Sequence, residues 1–308
     1  MGSNKYGSWN RASYYPNCNR IRDRLHGYST EKMLYADMFE VQIRNCCDPR
    51  EFWIGGFEYN LITRVAASRG LTGPQLENYL ALQGMEFDAQ MLEERLSYLV
   101  KYGYLSWIGF RRISDNMQIQ MYDLAAKGIE AVRESGVPYY RSALDYIVDG
   151  NMMRCLRTKI LANQIVLNLL YHAKNLDSFY FQRMMRRKNT TQVSPPYSAP
   201  LYLKTAKSGY LFDFAENTAE GKRAFKERME MIRNGQVLFP DQTRLVIVAE
   251  TYDHMELLAD IMLSFETKGL SMNILYTHDD VWFYDLPGRF WAMARAMGQS
   301  GMMPVKLL

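Results

Sequence analysis

Residues 58–135 run through three segments of helical period, two of strand period and one more helical segment, and that order constrains the fold more than anything else in the chain. Leu61, Ile62, Val65 and Ala66 recur at helical spacing, and Gly70 ends that helix. Thr72 is placed to cap a second helix, with Pro74 tolerated in its first turn and Leu76, Tyr79 and Leu80 as its apolar stripe. Asp88 is placed to cap a third, whose inward face is Met91, Leu92, Leu96, Leu99 and Val100. Tyr102-Gly103-Tyr104 stops it. A strand from Tyr104 to Phe110 then reaches a polar tip, Arg111-Arg112-Ile113-Ser114-Asp115-Asn116, and a second strand returns through Ile119, Met121 and Tyr122 before a last helix opens at Asp123–Gly128. A winged helix-turn-helix has this order, and such modules serve both DNA docking and protein pairing.

The rest of the chain is longer than that module. At 308 residues there is room for two domains with separate cores. The net charge of +4 is compatible with nucleic acid but too small to imply it. The N-terminus has no apolar signal segment, and no run of about 18 apolar residues occurs, so the expectation is a cytoplasmic protein with no membrane span. Cys18, Cys46, Cys47 and Cys155 fit no zinc spacing and read as free thiols.

Residues 1–28 read as an arm rich in Asn, Arg, Ser and Tyr, followed by a helix from about Thr30 to Arg44, so that 1–50 form an N-terminal arm and helix. Residues 51–182 are expected to hold the winged-helix domain with a long helix, Asn151 to Ala173, too apolar for one narrow stripe and so buried on two sides or dimerising. Residues 183–200, with Pro195-Pro196, read as a linker. Residues 201–308 alternate α and β: short strands at 201–203 and 210–214, an amphipathic helix from Thr218 to Ile232, a doubly buried strand Leu245–Ala249, a helix from Asp253 to Lys268, a strand Met272–Thr277 and a last strand Val281–Tyr284. Strand, helix and strand within that spacing predict a parallel pair.

With these elements in place, Tyr122-Asp123-Leu124-Ala125-Ala126-Lys127-Gly128 and the stretch Arg244–Asp280, with its Leu-Val-Ile-Val-Ala-Glu-Thr and Ile-Leu-Tyr-Thr-His-Asp-Asp strands, resemble the replication-relaxation group and similar proteins of Firmicutes plasmids and conjugative elements. The resemblance spans most of residues 55–285. It implies an α+β chain: an N-terminal winged helix-turn-helix domain, then a small α/β domain similar to a degenerate restriction-endonuclease-like core. Nucleases of that shape need an acidic pair and a lysine to hold Mg²⁺ and polarise water. The candidates Asp213, Glu216 and Lys226 do not follow the Asp, then Glu-x-Lys, arrangement, so the resemblance implies the shape without the chemistry, and no enzyme.

Candidate DNA contacts are Gln90, Arg95 and Lys101 on the third helix, Arg111 and Arg112 at the wing, and the cluster Arg183, Arg186, Arg187 and Lys188. Each could equally be a solvated face, as could Arg154, Arg157 and Lys159. The third helix carries Asp88, Glu93 and Glu94 against Arg95 and Lys101, one acid more than bases, which favours the wing over the helix for phosphate contact. Glu250, His254, His278 and Asp279 sit at strand ends where α/β sheets gather ligands; the plainer reading is a helix cap and a turn, and no cofactor or metal is expected. The sequence therefore leads to a DNA-binding protein of a mobile element, acting in transcription control or in replication and transfer, with double-stranded DNA as partner and a homodimer or an element-encoded protein as a further one. A non-catalytic protein-interaction scaffold using the same module is the alternative, and a Mg²⁺ nuclease the third.

Overall fold

The computed structural model describes residues 39–44, 48, 50, 52–112, 118–135, 152–172, 176–185, 197–235, 237, 242–266, 274–284, 290–296 and 299–305. The chain is a mixed α+β protein with two sheets, and it divides into two compact units between Leu167 and Asn168.

The first unit runs β1 (Phe39–Arg44), α1 (Gly56–Ser68), β2 (Leu71–Thr72), α2 (Gly73–Leu82), α3 (Ala89–Lys101), β3 (Leu105–Arg112), β4 (Gln118–Leu124) and α4 (Ala126–Ser135), then most of the long α5 (Met152–His172). Its sheet has the order β1-β3-β4-β2, antiparallel throughout. The helix starts fall where their caps predict. Thr72 Oγ1 accepts from Gln75 N while Thr72 N donates to Gln75 Oε1, a reciprocal capping box, and Asp88 Oδ1 accepts from Met91 N at 2.6 Å. The predicted stripes are the buried ones: Leu61, Ile62, Val65 and Ala66 on α1, Leu76, Tyr79 and Leu80 on α2, and Leu92, Leu96 and Leu99 on α3. Each large side chain contributes about 1.5–3 kcal/mol by leaving water. Gly128 is required by packing, since a Cβ there would collide with the Tyr104 carbonyl as α4 crosses β3.

Two expectations need correction here. Residues 39–44 are a strand and not the end of a helix, paired with β3 in the register Phe39↔Arg112 to Arg44↔Trp107. Phe-Glu-Val-Gln-Ile-Arg alternates apolar and polar, the period of a strand, and a neighbouring edge was available to pair it. The remainder of the predicted 30–44 helix, the 1–28 arm and the wing tip at 113–117 lie outside the described residues. The helix α5 does form as predicted, but Lys159 to Leu169 are buried without a break, a cylinder enclosed on every side where the sequence suggested two.

That enclosure brings polar groups inside. Asn163 is fully buried, and its amide donates to the carbonyls of Ser68, Gly70 and Lys159 at 3.0–3.3 Å while its oxygen accepts from Tyr79 Oη at 3.4 Å. Gln75 Nε2 donates to the Ile160 carbonyl at 2.7 Å. The end of α1, where Arg69 takes a left-handed φ of 61° and Gly70 one of 103°, is thus tied to α5 through carbonyls a helix terminus leaves without partners. Burial pushes the Tyr79 hydroxyl well above its usual range, and it lowers Arg64, whose guanidinium lies 4.8 Å over the Tyr79 ring.

The second unit continues from the end of α5 with β5 (Leu176–Met185), β6 (Tyr197–Thr205), β7 (Gly209–Phe214), α6 (Ala219–Arg233), β8 (Thr243–Ala249), α7 (Tyr252–Glu266), β9 (Ile274–His278), α8 (Asp279–Tyr284), β10 (Phe290–Ala296) and β11 (Gln299–Val305). The strands form one sheet in the order β11-β10-β9-β8-β7-β6-β5. β7, β8 and β9 are parallel, as two successive strand–helix–strand crossovers require, and the other pairs are antiparallel. Leu245, Ile247 and Ala249 pack with Phe225, Met229 and Ile232 of α6 and Met255, Leu258 and Met262 of α7, and Val246 and Val248 on the opposite face are equally buried. The predicted linker contributes to this sheet at both ends, through β5 up to Met185 and β6 from Tyr197; residues 186–196 lie outside the described residues. Val281–Tyr284, expected as a strand, lie in the short helix α8, where adjacent Val281 and Trp282 are both buried and Trp282 Nε1 donates to Thr277 Oγ1 at 3.0 Å. Strand-forming side chains follow their packing before their propensity.

Candidate functional site

The site residues fall in three places, one of which, the segment before α1, was not singled out by sequence. The first is α3 with the β3–β4 hairpin. Gln90, Glu93, Glu94, Ser97, Tyr98 and Lys101 form the exposed face of α3, opposite Leu92, Leu96 and Leu99. Gln90 Nε2 donates to Glu94 Oε1 at 3.1 Å. Arg95 is turned toward the body of the unit, 3.3 Å from the buried Glu58 carboxylate. Lys101 sits in the last turn with its ammonium 5.5 Å over the Tyr102 ring. The exposed face therefore carries Glu93 and Glu94 against Lys101. Arg111 and Arg112 close β3, opposite Gln118 of β4 and Glu40 and Phe39 of β1 by backbone register.

The segment before α1 lies across the end of α3. Asp48 N donates to the Lys101 carbonyl at 3.2 Å, and Lys127 Nζ donates to the Asp48 carbonyl at 3.2 Å. The Arg50 guanidinium grips the Asp48 carboxylate at 2.6 Å and holds it far below the ordinary carboxylate range. Phe52 stacks on Tyr102, with 4.8 Å between centroids and 7° between planes, and lies 5.8 Å from Tyr98. Trp53 follows with 85% of its surface exposed. Sequence reasoning missed this segment; its signal is the aromatic pair Phe52-Trp53 ahead of Gly55-Gly56, where α1 starts.

The third place is the carboxyl end of the parallel strands, where Glu250, His254, His278 and Asp279 are all buried. Glu250 Oε1 accepts from Asn217 N at 3.0 Å, Glu250 N donates to His254 Nδ1 at 3.2 Å, and His254 N donates to Thr251 Oγ1 at 3.2 Å. The His278 ring stacks on Trp291 at 5.3 Å, and Tyr252 meets both edge-on at 6.0 and 6.1 Å. Among the described residues no three His, Cys, Asp or Glu side chains are grouped to hold a metal ion. Nor are the nuclease candidates arranged as a set. Asp213 is buried on β7 and accepts two hydrogen bonds from Arg228 of α6, at 2.7 and 2.8 Å, while Glu216 is half-buried beyond β7 and Lys226 is exposed on α6. The cation beside Asp213 is supplied by the chain itself.

Of the remaining basic residues, Arg183 lies in β5 opposite Ala199, and Arg186, Arg187 and Lys188 are outside the described residues. Arg157 and Lys159 are buried, Lys159 with its ammonium 3.8 Å from Asp123, so neither belongs to a basic surface.

No protein-family model and no curated relative matches the chain. Among solved structures it is similar to the protein VC1899 from Vibrio cholerae, at 14% identity and a TM-score of 0.30, over 79% of this chain and 56% of that one. The chain thus spans little more than half the length of that protein, a likeness too slight to identify a family.

Proposed function

We propose that the first unit is a winged helix-turn-helix and that the protein is a non-catalytic, DNA-associated protein of a mobile element that docks on duplex DNA through the wing. The observation that carries this reading is the order α1, β2, α2, α3, β3, β4, with β2 pairing β4 and Arg111 and Arg112 as the last residues of β3. In such a module the helix placed like α3 enters the major groove and the hairpin reaches the flanking backbone. Here the exposed acids of α3 oppose phosphates, so contact falls to Arg111 and Arg112. Transcription control and replication or transfer both fit this docking, and the second unit would then dimerise or hold an element-encoded partner, without metal or cofactor.

The test is fluorescence anisotropy of a labelled duplex with the full chain, at about 50 mM and about 200 mM salt. The expected result is binding that weakens steeply with salt, and an Arg111→Ala/Arg112→Ala variant whose log–log salt slope is smaller by about 2. Absence of binding at the lower salt, or an unchanged slope in the variant, would overturn wing docking.

A further inference from the structure

The end of α3 away from its acids is built of aromatic rings and cations in mutual contact. Phe52 stacks on Tyr102 and lies 5.8 Å from Tyr98, so the segment before α1 and the end of α3 share one surface. Lys101 holds its ammonium 5.5 Å over the Tyr102 ring, and Lys127 holds its own 5.9 Å over the Tyr104 ring. Asp48 joins the two lysines: its N–H donates to the Lys101 carbonyl and its carbonyl accepts from Lys127 Nζ. Arg50 closes on the Asp48 carboxylate. This contact set therefore carries Arg50, Lys101 and Lys127 against the single acid Asp48. Of the acids on the same helices, Glu94 lies a turn before Tyr98 and accepts from Gln90, and Glu130 lies a turn beyond Lys127. The run Tyr98–Arg112, which supplies Tyr98, Lys101, Tyr102 and Tyr104, contains no acidic residue. The rings are also open: Trp53, next to Phe52, is 85% exposed and Tyr98 is 42% exposed. Gly55 makes room for the indole, since a Cβ there would stand 3.0 Å from it. A tryptophan left this open adds little to the fold.

We propose that this surface binds single-stranded nucleic acid, with unpaired bases stacking on Trp53 and Tyr98 and the phosphates passing over Lys101, Lys127 and Arg50. Two features select this ligand. Lys101 and Lys127 lie over rings and not over carboxylates, so their charge answers an anion. The open ring faces match a planar partner, which an unpaired base offers and an acidic peptide or a lipid headgroup does not. The bases of a duplex are stacked on one another and present no free face. Alternating rings and cations in this way is how proteins hold a single strand without reading its sequence. The surface is independent of the wing: duplex binding through Arg111 and Arg112 can fail while the single strand is still held, and the reverse.

The experiment uses the full chain and three probes at about 50 mM salt: a labelled single-stranded oligonucleotide of mixed sequence and about 12 nucleotides, a labelled glutamate-rich peptide, and phosphatidylserine vesicles. Anisotropy reads the first two and sedimentation the third. The oligonucleotide is expected to bind and the other two are not. Trp53→Ala should weaken the oligonucleotide by about tenfold or more, the loss of one stacked base, and Trp53→Phe should restore most of it. Lys101→Gln should flatten the log–log salt slope by about 0.7, one phosphate contact on a single strand. Arg111→Ala/Arg112→Ala should leave single-strand binding unchanged, so a loss confined to the duplex in that variant bears on the wing and not on this surface. The side chains at 53 and 101 are exposed, so these variants keep their fold, checked by circular dichroism. The proposal is overturned if the oligonucleotide does not bind, if its binding survives Trp53→Ala, or if the peptide or the vesicles bind and lose that binding with Trp53→Ala.

Discussion

The Asp213–Arg228 pair separates two meanings of a buried carboxylate. The side chain of Asp213 is 3% exposed and that of Arg228 30%, with two hydrogen bonds between them. Arg228→Met takes the guanidinium away from a buried carboxylate. Loss of one partner from a buried pair costs about 3–5 kcal/mol, and the lower end applies because water reaches the guanidinium. With a urea slope of about 1–3 kcal/mol per molar, the midpoint should fall by about 1–3 M. Asp213→Asn keeps the shape and removes the charge, which should cost about 2 kcal/mol. The double variant Asp213→Leu/Arg228→Met should recover to within about 1 kcal/mol of the parent, since it leaves no ion to desolvate. A carboxylate held for a metal ion behaves in the opposite way: neutralising it in metal-free protein is neutral or stabilising. Urea unfolding followed by circular dichroism measures all three variants. A parent-like Asp213→Asn midpoint would refute the anchoring argument and return Asp213 to the list of catalytic candidates.

Two further outcomes follow from the first unit. Asn163→Ala removes an amide bonded to three carbonyls and should cost about 2–4 kcal/mol, because the Ser68 and Gly70 carbonyls are left buried at the end of α1; a loss under about 1 kcal/mol in urea would show that they find other partners. Burial raises the Glu77 carboxyl above its unfolded value, so its relative stability contribution is present below about pH 4 and is lost as pH rises through the folded value. Glu77→Gln should therefore match the parent near pH 3 and melt higher than it at pH 7, and a constant gap in Tm between the two would refute this.

Much of the fold was legible where local signals agreed. Thr72, Asp88 and Thr218 each cap the helix they precede, and the apolar stripes of α1, α2 and α3 are the buried residues. The run Leu245–Ala249 was readable as a doubly covered strand because no polar residue interrupts it. What escaped depends on distant partners. Phe-Trp-Ala-Met-Ala-Arg-Ala of β10 is built largely of helix formers and becomes a strand by lying between β9 and β11. At the candidate sites the residue types were visible but their engagements were not. Arg95 meets Glu58 across 37 positions and Arg228 meets Asp213 across 15, and no short-range pattern encodes either.

The last strand has a consequence for assembly. β11 is Gln-Ser-Gly-Met-Met-Pro-Val, and it ends the seven-stranded sheet with Met303 58% exposed. An open edge with an exposed methionine invites another strand to add to it. Pro304 gives β11 one backbone donor fewer, and Gly301 weakens its regularity. β11 thus limits further strand pairing as much as it completes the described sheet: replacing Pro304 with a strand-forming residue would add the missing donor and favour two copies joining edge to edge.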